Sequence, residues 1–134
     1  QILNLLLDMR QRQNLALLLV SHALALVSDV ADRVAIMYLG RLAEFGPAAL
    51  VLSRPAHPYT RGLLRSQPSL THHREHKPLE PIPGAQPPPG STLPGCPFAP
   101  RCPLAEPACG EAFPALIELA PGHRAACLKA GAES

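Results

Sequence analysis

Residues 2–13 set Ile2, Leu3, Leu5, Leu6 and Met9 among Asn4, Asp8, Arg10 and Arg12. That spacing follows the 3.6-residue period and predicts an amphipathic helix with a broad apolar face. Asn14 is its expected stop. The run LALLLVS, residues 15–21, is apolar without a break and too short for a helix. Bounded by Asn14 and Ser21, it predicts a strand buried on both faces, as in parallel sheets. After His22, ALALVSDVADR returns to helical spacing, and RVAIMYL, 33–39, predicts a second buried strand. Gly40–Arg41 marks a turn, with LAEF, 42–45, as hairpin partner. Gly46–Pro47 breaks the pattern, and PAALVLS predicts a short helix opened by Pro47.

Helix, strand, helix, strand describes an α/β layer. Two or three strands do not complete such a sheet. With no initiator Met, the chain is expected to begin inside a longer polypeptide.

The texture changes after Arg54. Residues 1–52 hold a single proline, Pro47, and the rest of the chain's 17 prolines follow position 54. Only the first regime is expected to bury a regular core. HPYTRGLLRSQP has room for one short helix near 58–66, and EPACGEAFPALIEL for a helical turn. The stretch 69–95 reads as irregular, with turn and polyproline character, because proline fixes φ and removes a backbone donor.

Charge and composition exclude more than they assign. A net charge of +2, without a Lys/Arg stripe interleaved with aromatics, gives no sign of a nucleic-acid partner. No apolar run reaches the roughly 18–20 residues that span a bilayer, and the N-terminus does not read as a signal peptide. A cytosolic, reducing compartment is expected. No G-x-x-x-x-G-K-[ST] phosphate loop occurs, so this polypeptide taken alone is not expected to hydrolyse ATP.

His22 directly follows LLLVS, and ligands bind beyond the carboxyl ends of strands in doubly wound sheets. An imidazole there is suited to meet a phosphate oxygen. The plainer alternative is a polar residue of a strand–helix connection. Four cysteines, Cys96, Cys102, Cys109 and Cys127, have the spacing C-x5-C-x6-C-x17-C. None forms the C-x2–4-C clip usual in structural zinc sites. Unrelated thiols, disulfides and a metal centre all compete. Disulfides conflict with a reducing compartment, whereas four thiolates suit zinc or iron–sulfur alike. Such a centre would order a proline-rich segment with little core of its own. Arg101 and Arg124, beside ligands in sequence, are candidates to offset its charge, and Pro97 and Pro103 to stiffen its turns. HHREH, 72–76, is a weak candidate for a divalent metal. His57 reads as a loop anchor rather than a catalyst, and His123 as a surface turn residue or a substitute ligand.

LLLVSHALALVSDVADRVAIMYLGRLAEFG resembles the tail of an ABC transporter ATPase domain. The resemblance implies that His22 is the switch histidine, contacting the γ-phosphate of ATP, with Ala23 where the family usually has Asp. It also implies a signature loop and an acidic strand upstream of Gln1. PAHPYTRGLLRSQP, PIPGAQPPPG, GCPFAPRCPLAEPAC and PGHRAAC resemble the C-terminal extension of dipeptide and oligopeptide importer ATPases.

The expected fold is therefore α/β. Residues 1–52 would be the C-terminal portion of a P-loop ABC ATPase domain, and 53–134 an irregular, proline-rich, Cys-containing extension. ATP and Mg are implied for the intact protein. A [4Fe–4S] cluster on Cys96, Cys102, Cys109 and Cys127 is implied by relatives, with zinc as the alternative. Implied partners are a second ABC ATPase subunit, two transmembrane permeases and, indirectly, a peptide-binding protein. The implied location is the cytoplasmic face of the inner membrane. The rival reading is a stand-alone, non-enzymatic metal-binding module.

Overall fold

The computed structural model describes residues 2–67, 80–88 and 90–131. The HHREH tract lies outside them. The chain divides into two compact units, Gln1–Ala31 and Asp32–Ser134.

The first unit holds two helices. α1, Ile2–Gln13, carries an i,i+4 ion pair between Asp8 and Arg12 at 2.9 Å. It stops where expected. Asn14 takes φ 51°, and the Leu15 N–H reaches back to the Arg10 carbonyl at 3.1 Å, closing a Schellman turn. Residues 15–23 then run without regular structure to α2, Leu24–Val30. The buried strand expected over 15–21 is not formed. Leu18 and Val20 are each 90% exposed. A strand exists only through ladder bonds, and among the described residues no neighbour pairs with this stretch.

The second unit is built on a four-stranded antiparallel sheet, ordered β1-β2-β4-β3. β1, Arg33–Tyr38, and β2, Arg41–Pro47, form the expected hairpin. Its two turn residues, Leu39 and Gly40, both take positive φ (46° and 76°), as a type I′ connection requires. A two-residue turn forces antiparallel pairing, so the parallel layer expected here gives way to helices with an antiparallel sheet. β1 is also not buried on both faces. Val34, Ile36 and Tyr38 face the core, while Arg33, Ala35 and Met37 are exposed. β3, Ile117–Ala120, and β4, His123–Ala125, form a hairpin that the proline-rich sequence concealed.

Among the described residues the unit also holds three helices and one 3-10 turn. α3, Ala48–Ser53, begins one residue after Pro47, and α4, Pro58–Arg65, fills the expected place. The 3-10 turn covers Ala99–Arg101, and α5 is the short Ala108–Glu111. The core includes Val34, Ile36, Tyr38, Ala43, Val51, Ala56, Phe98, Ala125 and Ala126. It therefore draws on both sides of residue 54, contrary to the expectation that the proline-rich part adds no regular core. Phe98 explains how. Its ring packs edge-on to Tyr38 at 5.4 Å and tilts against Tyr59 at 5.3 Å, so one aromatic joins strand, helix and cysteine loop.

Candidate functional site

A bulge in the hairpin sets the site's foundation. Ile36 pairs with Glu44 and Met37 with Leu42, so Ala43 is the extra residue on β2. Both Ala43 and Glu44 consequently turn inward, against the alternation of a regular strand. A buried carboxylate must be met by donors. Oε1 of Glu44 accepts the Ala56 N–H at 2.8 Å and faces His123 Nε2 at 2.7 Å, while Oε2 accepts the His57 N–H at 2.9 Å. One side chain thus fastens β2 to β4 and to the turn ahead of α4. Sequence reading missed Glu44. A regular two-residue hairpin would set Ala43, not Glu44, opposite Ile36, so only the bulge reveals it.

His57 is the loop anchor expected of it. Its Nδ1 accepts the Tyr59 N–H at 3.0 Å and caps α4, which has Pro58 in its first turn. Burial pushes its pKa down to about 4, helped by Arg61 and opposed by Glu44. His123 is neither a surface residue nor a thiol substitute. It is buried, with Glu44 as its partner.

The four cysteines, scattered over 32 positions of sequence from Cys96 to Cys127, border one small apolar cavity. His57, Phe98, Ala99, Leu104 and Leu128 also line it. Each thiol arrives by a different device. The Cys96 N–H bonds the Cys109 carbonyl at 2.8 Å, a crossing that the buried Gly95 permits. Cys102 closes the 3-10 turn through Ala99, and Cys109 sits in α5. Cys127 follows β4, and its sulfur accepts the Lys129 N–H at 3.3 Å.

All four are free thiols, so the disulfide alternative is not realised. Burial raises the pKa of Cys96, Cys102 and Cys127, and neighbouring thiols push the same way. Backbone N–H groups oppose it: those of Phe98 and Ala99 at Cys96, Leu104 at Cys102, and Lys129 at Cys127. The net shift is upward, so burial outweighs these donors and favours the neutral thiols. Among the described residues no three His, Cys, Asp or Glu side chains are close enough to hold a single metal ion.

The arginines expected to offset thiolate charge are engaged elsewhere. Arg101 donates to the carbonyls of Ile82 and Pro83, both at 2.9 Å, and to the Tyr38 hydroxyl at 3.2 Å. It is a clamp on the PIP segment. Arg124 pairs with Glu118 at 3.6 Å. The cation beside the thiols is Lys129, which is paired with Glu106 at 2.7 Å.

His22 belongs to the first unit. It lies exposed on a bend just before α2, beside a turn in which the Ala23 N–H bonds the Ser21 hydroxyl at 3.0 Å.

With this geometry in view, comparison with known proteins is decisive. Residues 43–109 match the family described as oligopeptide/dipeptide transporter, C-terminal region. The chain belongs to that family. The matched segment runs from the bulge at Ala43 to Cys109 and so contains Glu44, His57 and three of the cysteines. The chain is 41% identical over 127 residues to the probable peptide ABC transporter ATP-binding protein y4tR of Sinorhizobium fredii. It is 40% identical over 127 residues to the dipeptide transport ATP-binding protein DppD of Escherichia coli. Each alignment covers 95% of this chain and 38% of the relative. The chain therefore spans well under half the length of these curated relatives. No helix among the described residues is long and apolar enough to cross a membrane.

Proposed function

We propose that this chain is the C-terminal portion of the ATP-hydrolysing, energy-coupling subunit of a peptide importer. The observation that carries the reading is identity of about two residues in five to peptide and dipeptide transport ATP-binding proteins, along nearly the whole chain. Residues 1–52 complete the ATPase domain, and 53–134 form the extension. The exposed apolar run Leu15–Val20 then packs as a strand against the rest of that domain, and His22 at its end contacts the γ-phosphate of Mg-bound ATP. The subunit works on the cytoplasmic face of the membrane with a second ATPase subunit and two permeases, fed by a peptide-binding protein. In the intact protein, His22→Ala should retain ATP binding and lower hydrolysis and peptide uptake by at least about 100-fold, as expected for a group acting at the transferring phosphate. Unchanged hydrolysis would reject the assignment.

The four cysteines are read as ligands of a [4Fe–4S] cluster. Support comes from a donor set made only of sulfur, gathered at one cavity, with backbone N–H groups aimed at three of the four. Zinc is the alternative, since four thiolates suit either centre. When bound, the cluster supplies a four-point cross-link among Cys96, Cys102, Cys109 and Cys127. Anaerobic purification should yield iron with acid-labile sulfide, and Cys102→Ser should release both. Stoichiometric zinc without sulfide would reject the cluster.

A further inference from the structure

His57 has four polar atoms, and three are committed to the scaffold. Its N–H donates to Glu44 Oε2 at 2.9 Å, its carbonyl accepts the Arg61 N–H at 3.2 Å, and Nδ1 accepts the Tyr59 N–H at 3.0 Å. A ring nitrogen that accepts a hydrogen bond carries no proton. The neutral ring is therefore fixed as the tautomer with its proton on Nε2. No described residue bonds Nε2. His57 borders two small cavities, and Cys96 and Phe98 border both. The first is the cavity that Cys102, Cys109 and Cys127 also line.

We propose that His57 is a positioning residue for the sulfur-ligated group, its Nε2–H donating a hydrogen bond on the Cys96 side of the cavity. The inference rests on the cluster reading above and goes beyond it by assigning a polar side chain to the site. Glu44 sets the backbone of His57, Tyr59 sets its tautomer, and Nε2–H is left as its uncommitted polar group on a residue that lines the cysteine cavity. Hydrogen bonds to ligand sulfur stabilise the more negative, reduced state and so raise the reduction potential. Burial, which holds the ring neutral, agrees with the tautomer.

The test is His57→Asn in the full chain, purified anaerobically. Asn keeps an acceptor for the Tyr59 N–H and hence the cap of α4, but brings no N–H to the Nε2 position. The variant should keep its helical signal and its iron and sulfide, and favour the oxidised state about tenfold more, a fall of about 59 mV for one electron. Loss of iron from a folded variant also supports the role. Retained iron and sulfide with an unmoved potential would overturn it, since a purely structural histidine changes stability and leaves the potential alone. Should the Asn variant fail to fold, His57→Ser, a second capping residue, is measured in the same way. Unsubstituted protein without acid-labile sulfide would reject the cluster reading itself, independently of the histidine, and this inference with it.

Discussion

Glu44 and His123 meet at 2.7 Å between carboxylate and ring, with the Glu44 side chain fully enclosed. The same carboxylate receives the backbone N–H groups of Ala56 and His57, so three donors depend on it. Glu44→Ala leaves all three buried without an acceptor. Removing one partner of a buried hydrogen-bonded pair costs about 3–5 kcal/mol, and urea unfolding should show a loss of that size. By contrast, Glu118 and Arg124 are half-exposed at 3.6 Å, a pair expected to contribute no more than about 1 kcal/mol. Equal losses from Glu44→Ala and Arg124→Ala would contradict the central place given to Glu44.

Elements defined by local chemistry were legible in the sequence. Asn14 as a helix stop, a turn at Gly40–Arg41 (found one residue earlier, at Leu39–Gly40), and a short helix near 58–66 all depend on residues within a few positions of each other. The bulge at Ala43 was not legible, because it is set by pairing across the hairpin and it alone turns Glu44 inward. The strand expected at 15–21 shows the converse. Its apolar run specifies burial, but pairing needs neighbours that the sequence of this stretch does not supply. The cysteines were legible as a group, whereas His57 beside them was not, being 39 positions from Cys96 in sequence and brought near by the turn that Glu44 holds.

Gly95 should tolerate no side chain. A Cβ there would lie 2.5 Å from the Gly110 carbonyl carbon and closer still to the Cys109 carbonyl oxygen, and backbone atoms cannot swing aside. Gly95→Ala should therefore cost on the order of 1–3 kcal/mol and open the Cys96–Cys109 backbone bond. Gly110→Ala is the control, since a Cβ at that position meets nothing within 4 Å. Thermal unfolding of the two variants should differ clearly. Similar midpoints would show that the crossing is not as tight as described.

Arg101 holds the PIP segment from a distance of 18 to 19 residues, with two carbonyl acceptors and the Tyr38 hydroxyl on one guanidinium. A lysine has one ammonium and cannot span the same fork. Arg101→Lys should therefore behave more like Arg101→Ala than like the parent. Both should speed proteolytic cleavage and hydrogen exchange around residues 80–84, with little change across β1 and β2. Parent-like protection in the Lys variant would argue that charge, not the fork, secures the segment.

Tyr59 gives the fold an alkaline limit. Burial chiefly raises its phenol pKa, the neighbouring Tyr38 adds to this, and Arg101 opposes it. The rings of Tyr38 and Tyr59 lie 4.7 Å apart and tilted at 58°, with Tyr38 buried, so ionisation would bring charge against a buried ring. The unfolded phenol titrates near pH 10. Above that pH the unfolded chain has lost a proton that the folded chain keeps, so unfolding releases protons and stability falls as pH rises. The contribution is fully present below about pH 10 and disappears as pH climbs through the raised value. Tyr59→Phe has no proton to lose at that position. The difference between parent and variant in urea midpoint should thus shift in favour of the variant between pH 8 and pH 11, and a difference that stays constant across that interval would mean that the phenol titrates no differently in the folded chain.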